Sequence, residues 1–357
     1  MADFFHWDVF CHVVDNYGDI GVSWRLATQL AERGQAVRFW VDDPNALSWM
    51  APGGCEGVQV LPASQAANGF EPGDVVVQAF GCTLGSEVIG AIASANQHKR
   101  RHVTWINLEY LSAEGFAARS HGLASPVHGG AAAGVHKWFY FPGFTDDTGG
   151  LLRETDLMQR RARFDRAQWL TQQGVIWAGE PVLSLFCYEP AALGQLLNAL
   201  ASSPNCLLVT AGRAAAAVRQ TLATLPASWS RRSAVKITFL PYLSQTEFDH
   251  LLWSADGNFV RGEDSLVRAL WAGSGLIWQP YPQQDGAHDA KLEAFLDWLQ
   301  APASLRRYHR VWNGLQAGAL PAPLWAEWRQ SVEAARQRLL AQEDLVSRLF
   351  QFVAKNG

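Results

Sequence analysis

Val9-Phe10-Cys11-His12-Val13-Val14-Asp15-Asn16-Tyr17-Gly18-Asp19-Ile20-Gly21 is the stretch on which the fold turns. Its first six residues read as a buried strand. A turn-forming segment with two glycines follows. Residues 22–33 then carry Trp24, Leu26, Ala27, Leu30 and Ala31 at helical spacing. Strand, short polar loop and amphipathic helix, in that order, open a parallel α/β sheet.

The alternation continues outward. Strands are predicted over 36–41, 74–80 and 102–106, with a helix over 86–96 between the last two. Such alternation implies parallel pairing and right-handed crossovers. Residues 141–150, Phe-Pro-Gly-Phe-Thr-Asp-Asp-Thr-Gly-Gly, are rich in turn formers and suit a domain boundary. After a charged helical stretch over 151–170 the pattern restarts. Strands are predicted over 182–187, 206–210, 235–240, 257–260 and 275–279, and helices over 191–201, 245–255, 264–272 and 286–300. A helical tail over 322–356 ends the chain. The reading is two Rossmann-like domains, 1–152 and 153–334, with a helix over 335–357 returning to the first. Two such domains facing each other across a central cleft make the GT-B architecture, which several functions share.

Ligands of open parallel sheets sit beyond the carboxyl ends of the strands, and two loops there are unusually polar. In the first, Gly18 and Gly21 permit a sharp turn and close approach of a ligand, while Asp15 and Asp19 stand four residues apart. The same residues suit a capped turn, with Asp19 as the N-cap of the next helix. Spacing leaves both readings open. The dinucleotide and P-loop fingerprints, GxGxxG and GxxxxGK[ST], are absent after this strand, which argues against NAD there.

The second loop is Arg261-Gly262-Glu263-Asp264-Ser265. A helix N-terminus with exposed N–H groups favours an anion such as a diphosphate. Ser265 can add a hydroxyl donor, and Glu263 can accept from ribose hydroxyls. Four polar residues exceed what a cap needs. Phe186, Tyr188, Tyr242, Gln245 and Phe248 can sandwich a base, and Tyr281 and Gln283 can reach a phosphate, although aromatic residues at such places are usually core.

Composition narrows the classes. The chain has 357 residues, 48% of them hydrophobic, enough for two ordinary domains. A net charge of -4 advertises no basic face, so nucleic acid is not an expected partner. No apolar run approaches the ~20 residues of a membrane span, and Met-Ala-Asp-Phe-Phe-His-Trp lacks the features of a signal peptide. The five cysteines form no CxxC, and the ten histidines form no HExxH. Asp42-Asp43 and Asp146-Asp147 lack DxD spacing. The expectation is a reduced, cytoplasmic protein with no metal and no membrane contact. The sixteen tryptophans read as core and interface filling.

Several strings go beyond pattern. Phe10-Cys11 with Asp15 through Leu26, Ile106-Asn107-Leu108-Glu109-Tyr110-Leu111-Ser112, Phe141 through Thr145 with Thr148-Gly149-Gly150, and Arg261 through Ser265 together resemble the bacterial EarP family. These are the protein-arginine rhamnosyltransferases that modify translation elongation factor P. The resemblance runs from the first strand to the last third. It implies an inverting, metal-independent GT-B enzyme that moves L-rhamnose from dTDP-β-L-rhamnose to an arginine in the N-terminal domain of elongation factor P. The modified factor then relieves ribosome stalling at polyproline. On that resemblance Asp19 is the general base and Asp15 a second essential carboxylate. Phe186, Tyr188, Tyr242, Gln245, Phe248, Arg261, Glu263, Asp264, Ser265 and Tyr281 bind the donor. The surroundings of Asp15, Asp42-Asp43 and Glu109 are expected to meet the protein acceptor. The competing readings are a nucleotide-sugar GT-B transferase or epimerase with a small-molecule acceptor, and a two-lobed binding protein.

Overall fold

A computed structural model describes residues 4–13, 17–97, 102–128, 133–282 and 286–356. Asp15, Asn16 and Gln283 lie outside the described residues. The chain divides into two compact units, Met1–Glu154 with Gln342–Gly357, and Thr155–Ala341.

The first unit is a seven-stranded sheet: β1 (His6–Cys11), β2 (Ala36–Val41), β3 (Val58–Pro62), β4 (Val75–Ala79), β5 (Thr104–Leu108), β6 (Ala124–Pro126) and β7 (His136–Tyr140). The order is β3-β2-β1-β4-β5-β7-β6, and every pair is parallel except β6 with β7. The strands β4 and β5 are buried at every position, as sheets covered on both faces require. One polar group sits in the middle. Asp8 on β1 is fully buried and accepts from Arg38 Nη2 (2.7 Å), Trp40 Nε1 (2.7 Å) and the Gly73 backbone N–H (2.7 Å). A buried carboxylate persists only when so paired, and this one ties β1 to β2.

The second unit is a five-stranded, wholly parallel sheet: β8 (Val182–Leu185), β9 (Asn205–Val209), β10 (Val235–Phe239), β11 (Gly257–Arg261) and β12 (Gly275–Gln279), in the order β10-β9-β8-β11-β12. Its buried ion pair is Asp249 with Arg268, at 2.6 and 2.8 Å. Trp271, Trp278, Trp312 and Trp328 are fully buried in this unit, and Trp7 is fully buried in the first. All five cysteines are free thiols.

The tail is helical within the span expected but is not continuous. It is two helices, Trp325–Leu340 and Leu345–Asn356. The break has a local cause. Asp344 accepts from the backbone N–H groups of Val346 (3.0 Å) and Ser347 (3.1 Å), which starts a new helix inside a polar run. The first of the two packs on β12 within the second unit. Only the last helix belongs to the first unit, where Leu345, Val346, Leu349 and Val353 join the core that holds Trp7, Val9 and Leu26. Burying four such side chains contributes about 6–12 kcal/mol as an upper estimate. The helix is pinned by Arg33 to Asp344 (2.7 Å) and by the Tyr140 hydroxyl, which lies 3.4 Å from the Leu345 carbonyl.

Strands β3, β6 and β7 and the helices Gly115–Ser120, Arg213–Thr224 and Ala303–Trp312 are additional to the elements predicted. β3 has no buried position and β7 buries only Tyr140, so neither carries the apolar run by which a strand is recognised.

Candidate functional site

Each sheet reverses its winding once. In the first unit the reversal falls between β1 and β4, and in the second between β8 and β11. A doubly wound sheet opens a crevice at that switch point, beyond the carboxyl ends of the two strands. The two polar loops picked out by sequence leave β1 and β11, so both stand at switch points.

In the first unit the helix begins earlier than its apolar spacing suggested, at Gly18 rather than residue 22. Asp19 is therefore not its N-cap. Tyr17 takes that place and gives no side-chain cap bond, while Asp19 lies in the first turn. A carboxylate there is favoured by the helix dipole, which is why Gly18 and Asp19 join the helix. Asp19 is only 3% exposed. It lies against the end of β1: burial pushes the Cys11 thiol up to about 12, and the charge of Asp19 adds to that rise. At the end of β4, across the switch point, Phe80 adopts a left-handed φ of 55° and stacks on Tyr110 at 4.8 Å. A left-handed aromatic residue is uncommon, and such strain collects at functional sites. Next to Tyr110, Glu109 accepts from Asn107, and burial holds its carboxyl above the ordinary value. Asp42 accepts from the Val13 N–H (3.1 Å) and pairs with His12 (2.6 Å), so it braces the loop after β1.

In the second unit five of the donor-site candidates, Arg261, Phe186, Tyr188, Phe248 and Tyr281, are joined by ring contacts. Arg261, 7% exposed at the end of β11, packs its guanidinium carbon 4.6 Å from the Phe186 ring centre and 4.5 Å from that of Tyr188. Phe186 meets Phe248 edge-on at 5.3 Å, and Tyr188 meets Tyr281 edge-on at 5.7 Å. Tyr188 is buried, whereas Tyr242 and Tyr281 are 50% and 47% exposed. Tyr242 and Tyr281 are thus the exposed tyrosines among the candidates, and Tyr188 is enclosed. Gln245 opens the helix Gln245–Ser254, capped by Ser244, whose hydroxyl accepts from Glu247 N at 3.2 Å.

The helix after β11 also starts earlier than expected, at Gly262 instead of Asp264, because Gly262 takes a left-handed φ of 65° that lets the chain turn directly off the strand. Glu263 and Asp264 fall in the first turn. The Ser265 hydroxyl is engaged with the backbone of Arg261, accepting from its N–H (3.1 Å) and donating to its carbonyl. It fixes the loop in this state of the chain. At the far end of the helix, Arg161 and Arg336 both donate to the Ala272 carbonyl, at 2.9 and 3.1 Å. Cations there complement the negative end of the helix dipole.

Sequence reasoning missed four members of this cluster. Lys291 pairs with Glu263 from the helix Ala287–Leu299. Gln279 accepts from the Tyr188 N–H at 3.0 Å. Arg213 and Glu189 form a two-pronged ion pair at 2.9 and 2.6 Å. Applying the strand-end rule to β9 as well as to β11 would have picked out Arg213. Among the described residues, no group of three or more His, Cys, Asp or Glu side chains stands together to hold a metal ion, and no helix is long and apolar enough to cross a membrane.

Residues 7–354 match the family model for the elongation-factor P (EF-P) rhamnosyltransferase EarP. A protein-arginine rhamnosyltransferase of Pseudomonas putida is 44% identical, covering 97% of this chain and 98% of its own. Its Pseudomonas aeruginosa counterpart is 42% identical, with 98% of each chain covered. A solved structure described as the basis for EarP-mediated arginine glycosylation of translation elongation factor EF-P superposes with a TM-score of 0.66 at 33% identity, covering 98% of this chain and 99% of that one. The two parallel-sheet units are those of a GT-B glycosyltransferase, and the chain belongs to the EarP family of protein-arginine rhamnosyltransferases.

Proposed function

We propose that the protein transfers L-rhamnose from dTDP-β-L-rhamnose to an arginine side chain of elongation factor P, in the cytoplasm, with inversion at the anomeric carbon and without a metal. What supports it most is the kinship with protein-arginine rhamnosyltransferases over nearly the whole chain. The Arg261–Phe186–Tyr188 cluster beside a helix N-terminus is the kind of surface a nucleoside diphosphate needs.

The chemistry has one difficulty. A guanidinium has a pKa above about 12 and no available lone pair. In this reading Asp19 and Asp15 grip the cation and turn one terminal nitrogen toward the sugar. The bond from the anomeric carbon to the diphosphate oxygen breaks as the carbon–nitrogen bond forms. The nitrogen becomes acidic during that step, and its proton passes to the Asp19 carboxylate. dTDP leaves with the bonding electron pair, its charge met by Arg261, Tyr281 and the helix Gly262–Ala272. Tyr242, Gln245, Phe248 and Glu263 hold the nucleoside, and Asp264 and Ser265 shape the helix start.

Incubation with dTDP-rhamnose and elongation factor P, followed by mass spectrometry of the factor, tests the reading. A single deoxyhexose on one arginine, α-linked by NMR, is expected. A β-linkage would remove inversion, and transfer to a small molecule without the factor would remove the protein acceptor.

A further inference from the structure

Tyr188 is held from every side. Its backbone N–H donates to Gln279 Oε1 at 3.0 Å, its ring is 2% exposed, and Tyr281 meets it edge-on. Two guanidiniums pack on that one ring, Arg261 with its carbon 4.5 Å from the centre and Arg213 at 5.0 Å. Arg213 opens the helix Arg213–Thr224 after β9, directly behind Gly212, whose φ of 82° turns the chain there. It is fixed by Glu189, which accepts at 2.9 Å from Nε and at 2.6 Å from Nη2. The Arg213 hydrogen bond is also the main reason the Glu189 carboxyl lies below its ordinary value.

That pair is half exposed, at 43% and 54%. Exposed ion pairs add little to folding, so stability does not explain a planar fork built against a buried ring. Its geometry has another consequence. A bidentate carboxylate locks the guanidinium plane, the guanidinium packs on the Tyr188 ring, and the same ring packs against Arg261. We infer that Arg213 and Glu189 are positioning residues for the donor site: together they clamp Tyr188 and, through it, set Arg261 where a nucleoside diphosphate binds. The inference rests on the donor reading above. Lysine cannot replace Arg213, because an ammonium offers neither the fork nor the plane.

The test is calorimetric titration of the full-length protein and its Arg213→Ala, Arg213→Lys and Glu189→Gln variants with dTDP, together with donor KM and kcat. Arg213→Ala is expected to weaken dTDP binding and raise donor KM about tenfold, the range of a lost cation–π support. kcat at saturating donor should hold, and the thermal midpoint should move by less than about 3 °C. Arg213→Lys should not restore binding, and Glu189→Gln should fall between. Wild-type affinity in Arg213→Ala, or full rescue by lysine, overturns the clamp alone. Should Arg213→Ala fail to fold, Glu189→Gln decides: unchanged dTDP affinity there also overturns it. If the wild-type protein itself does not bind dTDP, the donor reading falls and takes the clamp with it.

Discussion

The two switch-point loops share a backbone device and differ in what they place on it. After both β1 and β11 the chain goes on to a helix with acidic residues in its first turn, through residues 12–17 in the first unit and without an intervening residue in the second. At Gly18 the outcome is a carboxylate, Asp19, buried against the end of the strand. At Gly262 the outcome is a guanidinium, Arg261, laid between two aromatic rings. One arrangement suits a cationic acceptor that must lose a proton, the other an anionic leaving group. Helix N-termini favour anions in general. Which anion or cation is meant is decided by side chains, not by the fold. Charge alone is no guide either: Asp8 and Asp249 are as deeply buried as Asp19, yet Asp8 is spent on Arg38 of the neighbouring strand and Asp249 on Arg268 of the neighbouring helix.

The contrast can be broken most sharply from the second unit. Glu263→Ala removes the carboxylate that Lys291 pairs with. Loss of charged hydrogen bonds of about 1.5–3 kcal/mol should weaken dTDP binding roughly 10- to 150-fold. Unchanged affinity by calorimetry would place the nucleotide elsewhere. Next comes acid. Among the described residues, each unit contains one imidazole that burial pushes down to about 4 from an ordinary 6.5, His121 in the first and His309 in the second. His309 Nε2 accepts from the Trp278 N–H at 3.0 Å, and His121 Nδ1 accepts from the Phe141 N–H at 3.1 Å, so both are held neutral. The unfolded chain takes up these protons below 6.5 and the folded chain does not. Stability is therefore complete above 6.5 and falls as pH drops toward 4, by about 2–3 kcal/mol per histidine. Thermal unfolding between pH 7.5 and 4.5 should show both units weakening, and a flat profile would contradict the assignment. The smallest effect belongs to Tyr140→Phe. It deletes hydroxyl contacts of 3.3 and 3.4 Å to the Gly149 and Leu345 carbonyls. About 0.5–1.5 kcal/mol should be lost, all of it from the first unit. A calorimetric shift in the second unit's transition would show that Tyr140 acts beyond the last helix.

The α/β alternation was legible because β1, β4, β5, β8, β9, β11 and β12 are nearly continuous apolar runs bounded by turns. The edge strands of the first sheet were not, since β3 and β6 bury little. Helix starts were misplaced by a few residues at both loops, because polar first turns stand outside the apolar periodicity. The Arg261–Ser265 loop was legible from its excess of polar residues at a strand end. Arg213, Glu189 and Lys291 were not, because their significance lies in contacts across 24 and 28 residues of sequence. Tyr188 was read as a stacking ring, and only its burial reveals it as a support.

The division of labour between the two loops rests on Asp19. Asp19→Asn keeps the shape of the side chain and removes its capacity to take a proton. Measured together, dTDP affinity by calorimetry and rhamnosylation of elongation factor P by mass spectrometry should separate. Affinity should stay within about twofold of wild type, while turnover falls about 10²- to 10⁴-fold, the usual worth of a general base. Near-normal turnover in Asp19→Asn would contradict the account.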